Sequence, residues 1–136
     1  MIKRIVNIVL TAIILSTTPV IFAESTKGES KLIDVRELEE INRGMIKGAS
    51  WLAVSDINSN SIRSEIFFEK LTRLGVKTVN LYCRSGNRVR KITPVFEAKG
   101  FKVNNLGGFS ELLDRGFSSE LAGLEDTDSK CEHLCL

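Results

Sequence analysis

Residues 76–88 read VKTVNLYCRSGNR, and they join the clearest strand of the chain to a helix. The part from Val76 to Tyr82 is rich in β-branched residues, which favour strands. Apolar residues then recur at the spacing of one helical face: Val89, Ile92 and Phe96. A single cysteine, Cys83, therefore lies at the junction between a predicted strand and a predicted helix.

Strands and helices alternate along the rest of the chain. Strands are predicted at 31–35, 48–53, 76–82 and 101–105, and helices at 37–43, 61–74, 88–99 and 109–113. Pro94 is expected to kink or break the helix over 88–99. The alternation predicts an α/β domain with a mostly parallel sheet covered by helices on both faces. Ligand sites of such sheets form at the carboxyl ends of strands, where Cys83 lies.

The first residues have the order of a secretory signal peptide. Met1 to Arg4 is basic, residues 5–14 are almost all apolar, and Ala23 offers a small residue for cleavage. We therefore predict a signal peptide at 1–23 and a periplasmic or secreted protein, with an uncleaved N-terminal membrane anchor as the alternative. The rest is expected to comprise a polar linker at 24–30, a folded domain at 31–117 and a loose tail at 118–136.

Removal of residues 1–23 would leave a chain without net charge. The full chain has 19 basic and 17 acidic residues, and Lys3 and Arg4 are the two basic residues lost with the signal. The remaining chain has no excess of positive charge, so its charge gives no support for a nucleic-acid partner. We expect a monomer with no stable membrane contact once the signal is cleaved.

The loop from Cys83 to Arg88 combines features that activate a thiol. Thiolates, the nucleophilic form of cysteine, are favoured beside cations, at helix N-termini and within nests of backbone amides. Glycine allows the positive φ that lets a backbone curl around the sulfur. The candidate catalytic residue is Cys83, and the candidate substrate-binding residues are Arg84, Ser85, Gly86, Asn87 and Arg88. The alternative is an inert cysteine buried at a strand end and followed by an ordinary turn.

Five motifs in register resemble a single-domain rhodanese of the small secreted or periplasmic type. They are LIDVRELEE at 32–40, IKGA at 46–49, LYCRSGNR at 81–88, GFKV at 100–103 and LGGF at 106–109. The resemblance covers about residues 31–115. It implies a five-stranded, mostly parallel sheet flanked by helices on both faces, in agreement with the alternation of elements.

The resemblance also implies sulfurtransferase chemistry. Cys83 would take a sulfane sulfur from thiosulfate or a similar anionic donor as a persulfide, and a thiophilic acceptor such as cyanide or a thiol would remove it. The amides from Arg84 to Arg88 would stabilise the anionic sulfur, and the side chains of Arg84 and Arg88 would hold the donor. Neither a metal nor an organic cofactor is implied.

The chain departs from the family pattern at several positions. The stretch from Met45 to Ala49 reads MIKGA where the family usually has HIPGA, Val89 replaces a commoner serine or alanine, and a tryptophan after Gly108 is missing. These changes leave the thiol chemistry intact and bear on substrate preference.

Two other functions remain open. A phosphatase or arsenate reductase on the same fold resembles this chain but uses a longer Cys-x5-Arg loop. Here the spacing from Cys83 to Arg88 is Cys-x4-Arg, and Val89 stands where the longer loop needs its arginine. The other alternative is a non-catalytic rhodanese-like binding module. Such modules often lack the cysteine that this chain has.

Other notable residues are expected to be structural. Asp34 and Arg36 are predicted to form a structural ion pair at a strand end and not a catalytic pair, because most ion pairs have no catalytic role. Three aromatic residues at helical core spacing are predicted to pack inside: Phe67, Phe68 and Phe96.

The tail carries Cys131, His133 and Cys135, which are open to three interpretations. The tail is disordered, or the two cysteines form a local disulfide, or the three residues bind a metal. On a helix His133 would point away from both cysteines, which argues against the metal site.

Overall fold

The computed structural model describes residues 29–122. Its strands are β1 (Glu29–Asp34), β2 (Met45–Ile46), β3 (Ser50–Trp51), β4 (Val76–Cys83), β5 (Lys102–Gly108) and β6 (Ser119–Glu120). Its helices are α1 (Leu38–Ile41), α2 (Val54–Asn58), α3 (Ile62–Arg73), α4 (Asn87–Ala98) and α5 (Phe109–Asp114). Each predicted strand and helix in this part of the chain is present, with ends shifted by a few residues.

The main sheet is parallel and has the strand order β3-β1-β4-β5. Asp34 of β1 aligns with Tyr82 of β4, and Cys83 aligns with Gly108 of β5. The carboxyl end of β4 thus lies between those of β1 and β5. Within residues 29–122 this sheet has four strands and not the expected five, and β2 pairs with β6 in a separate antiparallel ribbon.

Helices flank both faces of the sheet, as predicted. Side chains alternate along β4, so that Leu81 and Cys83 face the larger hydrophobic core while Tyr82 faces the other side. The larger core is completed by α2, α3 and α4, and the smaller one by Leu112 of α5 and Ile46 of β2. The strand that ends at Cys83 is therefore covered on both sides.

Helix α3 buries its aromatic face against this core. Ser61 caps its N-terminus by accepting a hydrogen bond from the Ser64 amide at 3.2 Å. Phe67 and Phe68 are 3% and 5% exposed, and Phe96 of α4 meets Phe68 edge to face at 4.9 Å between ring centroids. The prediction that these three aromatic residues pack inside is confirmed.

Not all the large apolar residues of the 61–74 stretch are buried. Ile62 and Ile66 are 70% and 56% exposed, and Leu74 after the helix is also exposed. The buried residues follow the spacing i, i+3, i+4, i+7: Ser64, Phe67, Phe68 and Leu71. The two large rings set the orientation, because aromatic side chains remove more apolar surface from water than the isoleucines do.

Helix α4 continues through Pro94 without interruption, so the predicted break is wrong. Proline removes the hydrogen bond to the carbonyl four residues earlier, which belongs to Arg90. Both Pro94 and Arg90 are exposed, and water can therefore satisfy that carbonyl. Buried Ile92 and Phe96 hold the helix on the sheet on either side of the proline.

The ends of the folded region extend beyond the predicted domain. Strand β1 begins at Glu29 and so includes the last two residues of the linker predicted at 24–30. At the other end, the first residues of the predicted loose tail are paired: the Lys47 amide donates to the Ser118 carbonyl at 2.9 Å, and β6 follows at once. The predicted signal peptide at 1–23 and the residues Cys131, His133 and Cys135 lie outside the described residues. From 29 to 122, no helix has the length and apolarity needed to cross a membrane.

Candidate active site

Cys83 is the last residue of β4 and has no exposed surface. Its Sγ accepts a hydrogen bond from the backbone amide of Gly86 at 3.0 Å. Gly86 has φ of +78° and precedes the first residue of α4, so the chain turns back toward the sulfur before the helix begins. The predicted curl of the loop around Cys83 is confirmed for this amide.

Asn105, which the sequence analysis did not single out, fastens the loop to β5. Its Nδ2 donates to the Gly86 carbonyl at 3.0 Å, and its Oδ1 accepts from the Gly107 amide at 3.0 Å. Asn105 thus bonds to the very residue whose amide reaches the sulfur. The two positions are 19 residues apart in the chain, so local spacing gave no signal for this contact.

The Gly107-Gly108 pair lets β5 approach the loop closely. A Cβ on Gly108 would lie 2.5 Å from the carbonyl oxygen of Arg84, far inside normal contact. Gly107 has φ of +91°, a region that residues with a Cβ rarely adopt. Gly108 is therefore needed for packing against the cysteine loop, and Gly107 for the backbone conformation that precedes it.

Arg88 is not an unpaired cation. Its Nη1 contacts Glu40 Oε2, and its Nη2 donates to Glu40 Oε1 at 3.2 Å, with about a third of the Arg88 side chain exposed. Partial burial tends to raise the pKa of Glu40, but the hydrogen bonds and charge of Arg88 outweigh it and lower the pKa below its ordinary value. The same bond to Glu40 raises the pKa of Arg88. The pair ties α1 to the first turn of α4.

The predicted ion pair of Asp34 and Arg36 is confirmed and is buried. Arg36 Nη2 lies 2.7 Å from Asp34 Oδ2 and also donates to the Gly44 carbonyl at 2.6 Å. Its guanidinium carbon stands 4.0 Å from the ring centroid of Phe109. The pair therefore fixes the start of α5 against the end of β1.

Tyr82, next to Cys83, supports the opposite face of the strand. Its hydroxyl accepts a hydrogen bond from the Ile46 amide at 2.9 Å. Burial, together with the neighbouring Asp34 carboxylate, raises the pKa of Tyr82 above its ordinary value of 10.0. Tyr82 thus stays protonated and serves as a fixed partner for β2.

A cleft of about 300 Å³ opens beside the loop. It is lined by Arg36, Glu40, Arg43, Arg84, Phe109 and Ser110. The structure thereby brings α1 and the start of α5 to the side chain that follows Cys83. In the stretch from β1 to β6, no group of three or more metal-ligating side chains is clustered.

The remaining candidate residues lie on the outer side of the loop. Arg84 and Ser85 are exposed, and Arg84 lines the cleft. Asn87 is exposed, and its Oδ1 accepts a hydrogen bond from Arg90. The structure therefore brings Arg84 to the cleft, whereas the side chain of Asn87 is engaged by its own helix.

The burial of Cys83 fits either of the two interpretations drawn from the sequence. A fully buried thiol is common in protein cores. An inert core cysteine, however, needs no hydrogen-bond donor directed at its sulfur. Here the backbone of Gly86 takes a left-handed conformation and is fastened by Asn105, with its amide on Sγ. This arrangement is suited to stabilising negative charge on the sulfur or on an atom bound to it.

Comparison with known proteins agrees with this geometry. The sequence profile of the rhodanese-like domain matches residues 21–115. Among curated proteins, a tRNA sulfurtransferase of Desulfurococcus amylolyticus is 34% identical over 104 residues, which are 76% of this chain. The chain spans only 17% of the length of that relative.

Two solved structures have a similar fold. A Helicobacter pylori protein solved by NMR superposes with a TM-score of 0.55 at 25% identity, covering 71% of this chain and 82% of its own. A rhodanese with anions from E. coli has a TM-score of 0.50 at 22% identity, covering 68% of this chain and 98% of its own. The profile match extends over more than half of the sequence, and the chain belongs to the rhodanese-like domain family.

Proposed function

We propose that this protein is a sulfurtransferase that carries a sulfane sulfur on Cys83, from thiosulfate or a similar donor to a thiophilic acceptor. The observation that carries the proposal is the hydrogen bond from the Gly86 amide to Cys83 Sγ, at the carboxyl end of a parallel strand. Membership in the rhodanese-like family and the similarity to a curated sulfurtransferase support it.

The proposed reaction has two half-reactions. In the first, the Cys83 thiolate attacks the outer sulfur of thiosulfate. A Cys83–sulfur bond forms, the sulfur–sulfur bond of the donor breaks, and sulfite leaves with the electron pair. In the second, the acceptor attacks the outer sulfur of the persulfide, and the electron pair returns to Cys83 Sγ. With cyanide as the acceptor, the product is thiocyanate.

The loop would stabilise the charged intermediate. Backbone amides directed at the sulfur position act as oxyanion-type donors for an anionic persulfide. Arg84 is exposed at the cleft and is suited to bind the donor, since guanidinium groups bind oxyanions in a bidentate manner. Arg88 was expected to share this role, but its bond to Glu40 suggests that it mainly holds the loop in shape.

The direct test is a thiosulfate–cyanide assay combined with intact mass measurement. Wild-type protein treated with thiosulfate should gain one sulfur and produce thiocyanate, whereas Cys83→Ser should do neither. The matched control is the double variant Cys131→Ser with Cys135→Ser, which removes the tail thiols and should retain most activity. An unmodified wild-type mass after thiosulfate treatment would contradict the proposal.

The loop length argues against the phosphatase alternative. Val89, which stands where a longer loop would need its arginine, is fully buried in the core. A phosphatase needs donors around the whole oxyanion and a general acid for the leaving group. We therefore expect hydrolysis of an aryl phosphate to stay at background, and robust hydrolysis that is lost in Cys83→Ser would favour a phosphatase.

We also propose that the protein is exported and that the mature chain begins near Glu24. The support is the basic, apolar and small-residue order of residues 1–23. N-terminal sequencing of the exported protein should start near Glu24. An intact Met1 in the membrane fraction would instead indicate an anchor.

A further inference from the structure

Two consecutive backbone amides at the end of β5 are held by side chains. The Gly107 amide donates to Asn105 Oδ1 at 3.0 Å. The Gly108 amide donates to Glu111 Oε2, also at 3.0 Å, and Glu111 lies in the first turn of α5. This is the carboxylate bond of a capping box, in which a glutamate or glutamine of the first turn accepts from the amide that precedes the helix. Glu111 therefore fixes the junction between β5 and α5.

The glycine that Glu111 fixes lies close against the loop that follows Cys83. Cys83 and Gly108 are aligned in the pairing of β4 with β5. A Cβ on Gly108 would lie 2.5 Å from the carbonyl oxygen of Arg84, 3.3 Å from its carbonyl carbon and 3.4 Å from the Ser85 Cα. These three atoms belong to one planar peptide unit. Gly108 is therefore packed against the peptide that joins Arg84 to Ser85.

The orientation of this peptide determines where the amides of the loop point. In a trans peptide, the carbonyl and the amide hydrogen point in opposite directions. The Arg84 carbonyl faces Gly108, so the Ser85 amide points away from β5. The next amide along the loop, that of Gly86, donates to Cys83 Sγ at 3.0 Å. A displacement of Gly108 would allow the peptide to turn and would thereby move both amides.

The two glycines make room for different contacts. A Cβ on Gly107 would overlap the Glu111 carboxylate, whereas a Cβ on Gly108 would overlap the loop. The carboxylate of Glu111 therefore reaches the Gly108 amide only because residue 107 has no side chain.

Building on the proposed sulfurtransferase function, we propose that Glu111 is a positioning residue for the loop that stabilises sulfur on Cys83. Its carboxylate holds Gly108 in place, and Gly108 holds the peptide that leads to the Gly86 amide. Glu111 acts by accepting a hydrogen bond. An uncharged side chain of the same length that offers an oxygen acceptor should therefore replace it.

The test compares Glu111→Ala with Glu111→Gln. Both substitutions remove the negative charge, but only the alanine removes the acceptor of the Gly108 amide. At saturating thiosulfate, the rate at which Cys83 gains sulfur should fall about fivefold in Glu111→Ala, which is the scale of one net hydrogen bond. Glu111→Gln should keep the wild-type rate. The thiosulfate concentration that gives half of the maximal rate should be the same in both variants, because they carry the same charge.

Hydrogen exchange of the Gly86 amide, measured by NMR, is a second readout that needs no activity. This amide should exchange about fivefold faster in Glu111→Ala than in the wild type, and at the wild-type rate in Glu111→Gln. The control is Glu65→Ala, which removes a carboxylate from the first turn of α3 on the other face of the sheet. It should change neither the exchange nor the gain of sulfur.

Wild-type behaviour of Glu111→Ala in either measurement would overturn the proposal. Equal losses in Glu111→Ala and Glu111→Gln would also overturn it, because the charge and not the hydrogen bond would then be responsible. Failure of the proposed function would look different, since the wild-type protein would gain no sulfur from thiosulfate. The exchange measurement would still decide whether Glu111 positions the loop.

Discussion

Glu40→Gln tests whether the ion pair with Arg88 stabilises the loop that follows Cys83. The substitution keeps the size of the side chain but removes its charge, and it places an amide donor where Arg88 needs an acceptor. A fully exposed pair would contribute about 0–1 kcal/mol, and a hydrogen bond to a charged group about 1.5–3 kcal/mol. The Glu40 and Arg88 side chains are 26% and 33% exposed, so we expect a loss of about 1 kcal/mol after allowance for solvent screening.

The assay is thermal unfolding at a series of pH values. A loss of about 1 kcal/mol should lower the Tm by about 4 °C at pH 7. The pKa of Glu40 is lowered in the folded protein, so its contribution is complete above the ordinary value of 4.5 and is lost as the pH falls through the lowered value. The difference in Tm between wild type and Glu40→Gln should therefore shrink below about pH 4.5.

The matched control is Glu69→Gln, which removes the same charge from the exposed pair with Arg73 on α3. That pair has a distance of 2.7 Å, but its side chains are about 70% exposed, and we expect a cost below about 0.5 kcal/mol. Equal losses in the two variants would refute the reasoning, and so would a Glu40→Gln difference that persists unchanged at the lowest pH. The ion pair would then not be the source of the stability.

Three further substitutions test the supports of Cys83. Asn105→Ala should slow the gain of sulfur from thiosulfate about tenfold or more, because it frees the Gly86 segment. The control Asn104→Ala loses only a hydrogen bond to another asparagine and should not slow it, and equal rates in the two variants would show that Asn105 does not support the site. Gly108→Ala should cost about 1–3 kcal/mol in unfolding free energy and reduce sulfur transfer, and full activity would mean that the loop tolerates displacement. Tyr82→Phe leaves a buried amide unpaired and should cost about 1–3 kcal/mol at pH 7. The pKa of Tyr82 is raised in the folded protein, so its contribution to stability is complete below pH 10.0 and is lost progressively as the pH rises above it. The stability difference between the wild type and Tyr82→Phe should therefore shrink in alkali, and a difference that grows with pH would contradict the assignment.

The local architecture of the site could be predicted from the sequence, because its signals are contiguous. The β-branched run of β4, the cysteine, the glycine of the loop and the apolar face of α4 follow one another within about twenty residues. Their order alone places the thiol at a strand-to-helix junction. The turn of the backbone toward the sulfur then depends on the positive φ of Gly86, a conformation that glycine adopts readily.

The parts that could not be predicted depend on contacts between distant segments. Glu40 reaches Arg88 across 48 residues, and Asn105 reaches Gly86 across 19. A charged residue on a short helix gives no local sign of its partner, so the ion pair of Glu40 with Arg88 was not predicted. The pairing of β2 with β6 was missed for the same reason, since each strand has two residues and neither shows a strand pattern.

The burial of Cys83 has a consequence for how the protein meets other reactive molecules. A sulfur without exposed surface is shielded from bulky alkylating reagents. In the proposed cycle the second sulfur stands about 2 Å beyond Sγ, so the reactive atom is no longer the buried Sγ itself. The persulfide form of the enzyme would then be alkylated faster than the free thiol form, and the outer sulfur would be the atom that external reagents reach.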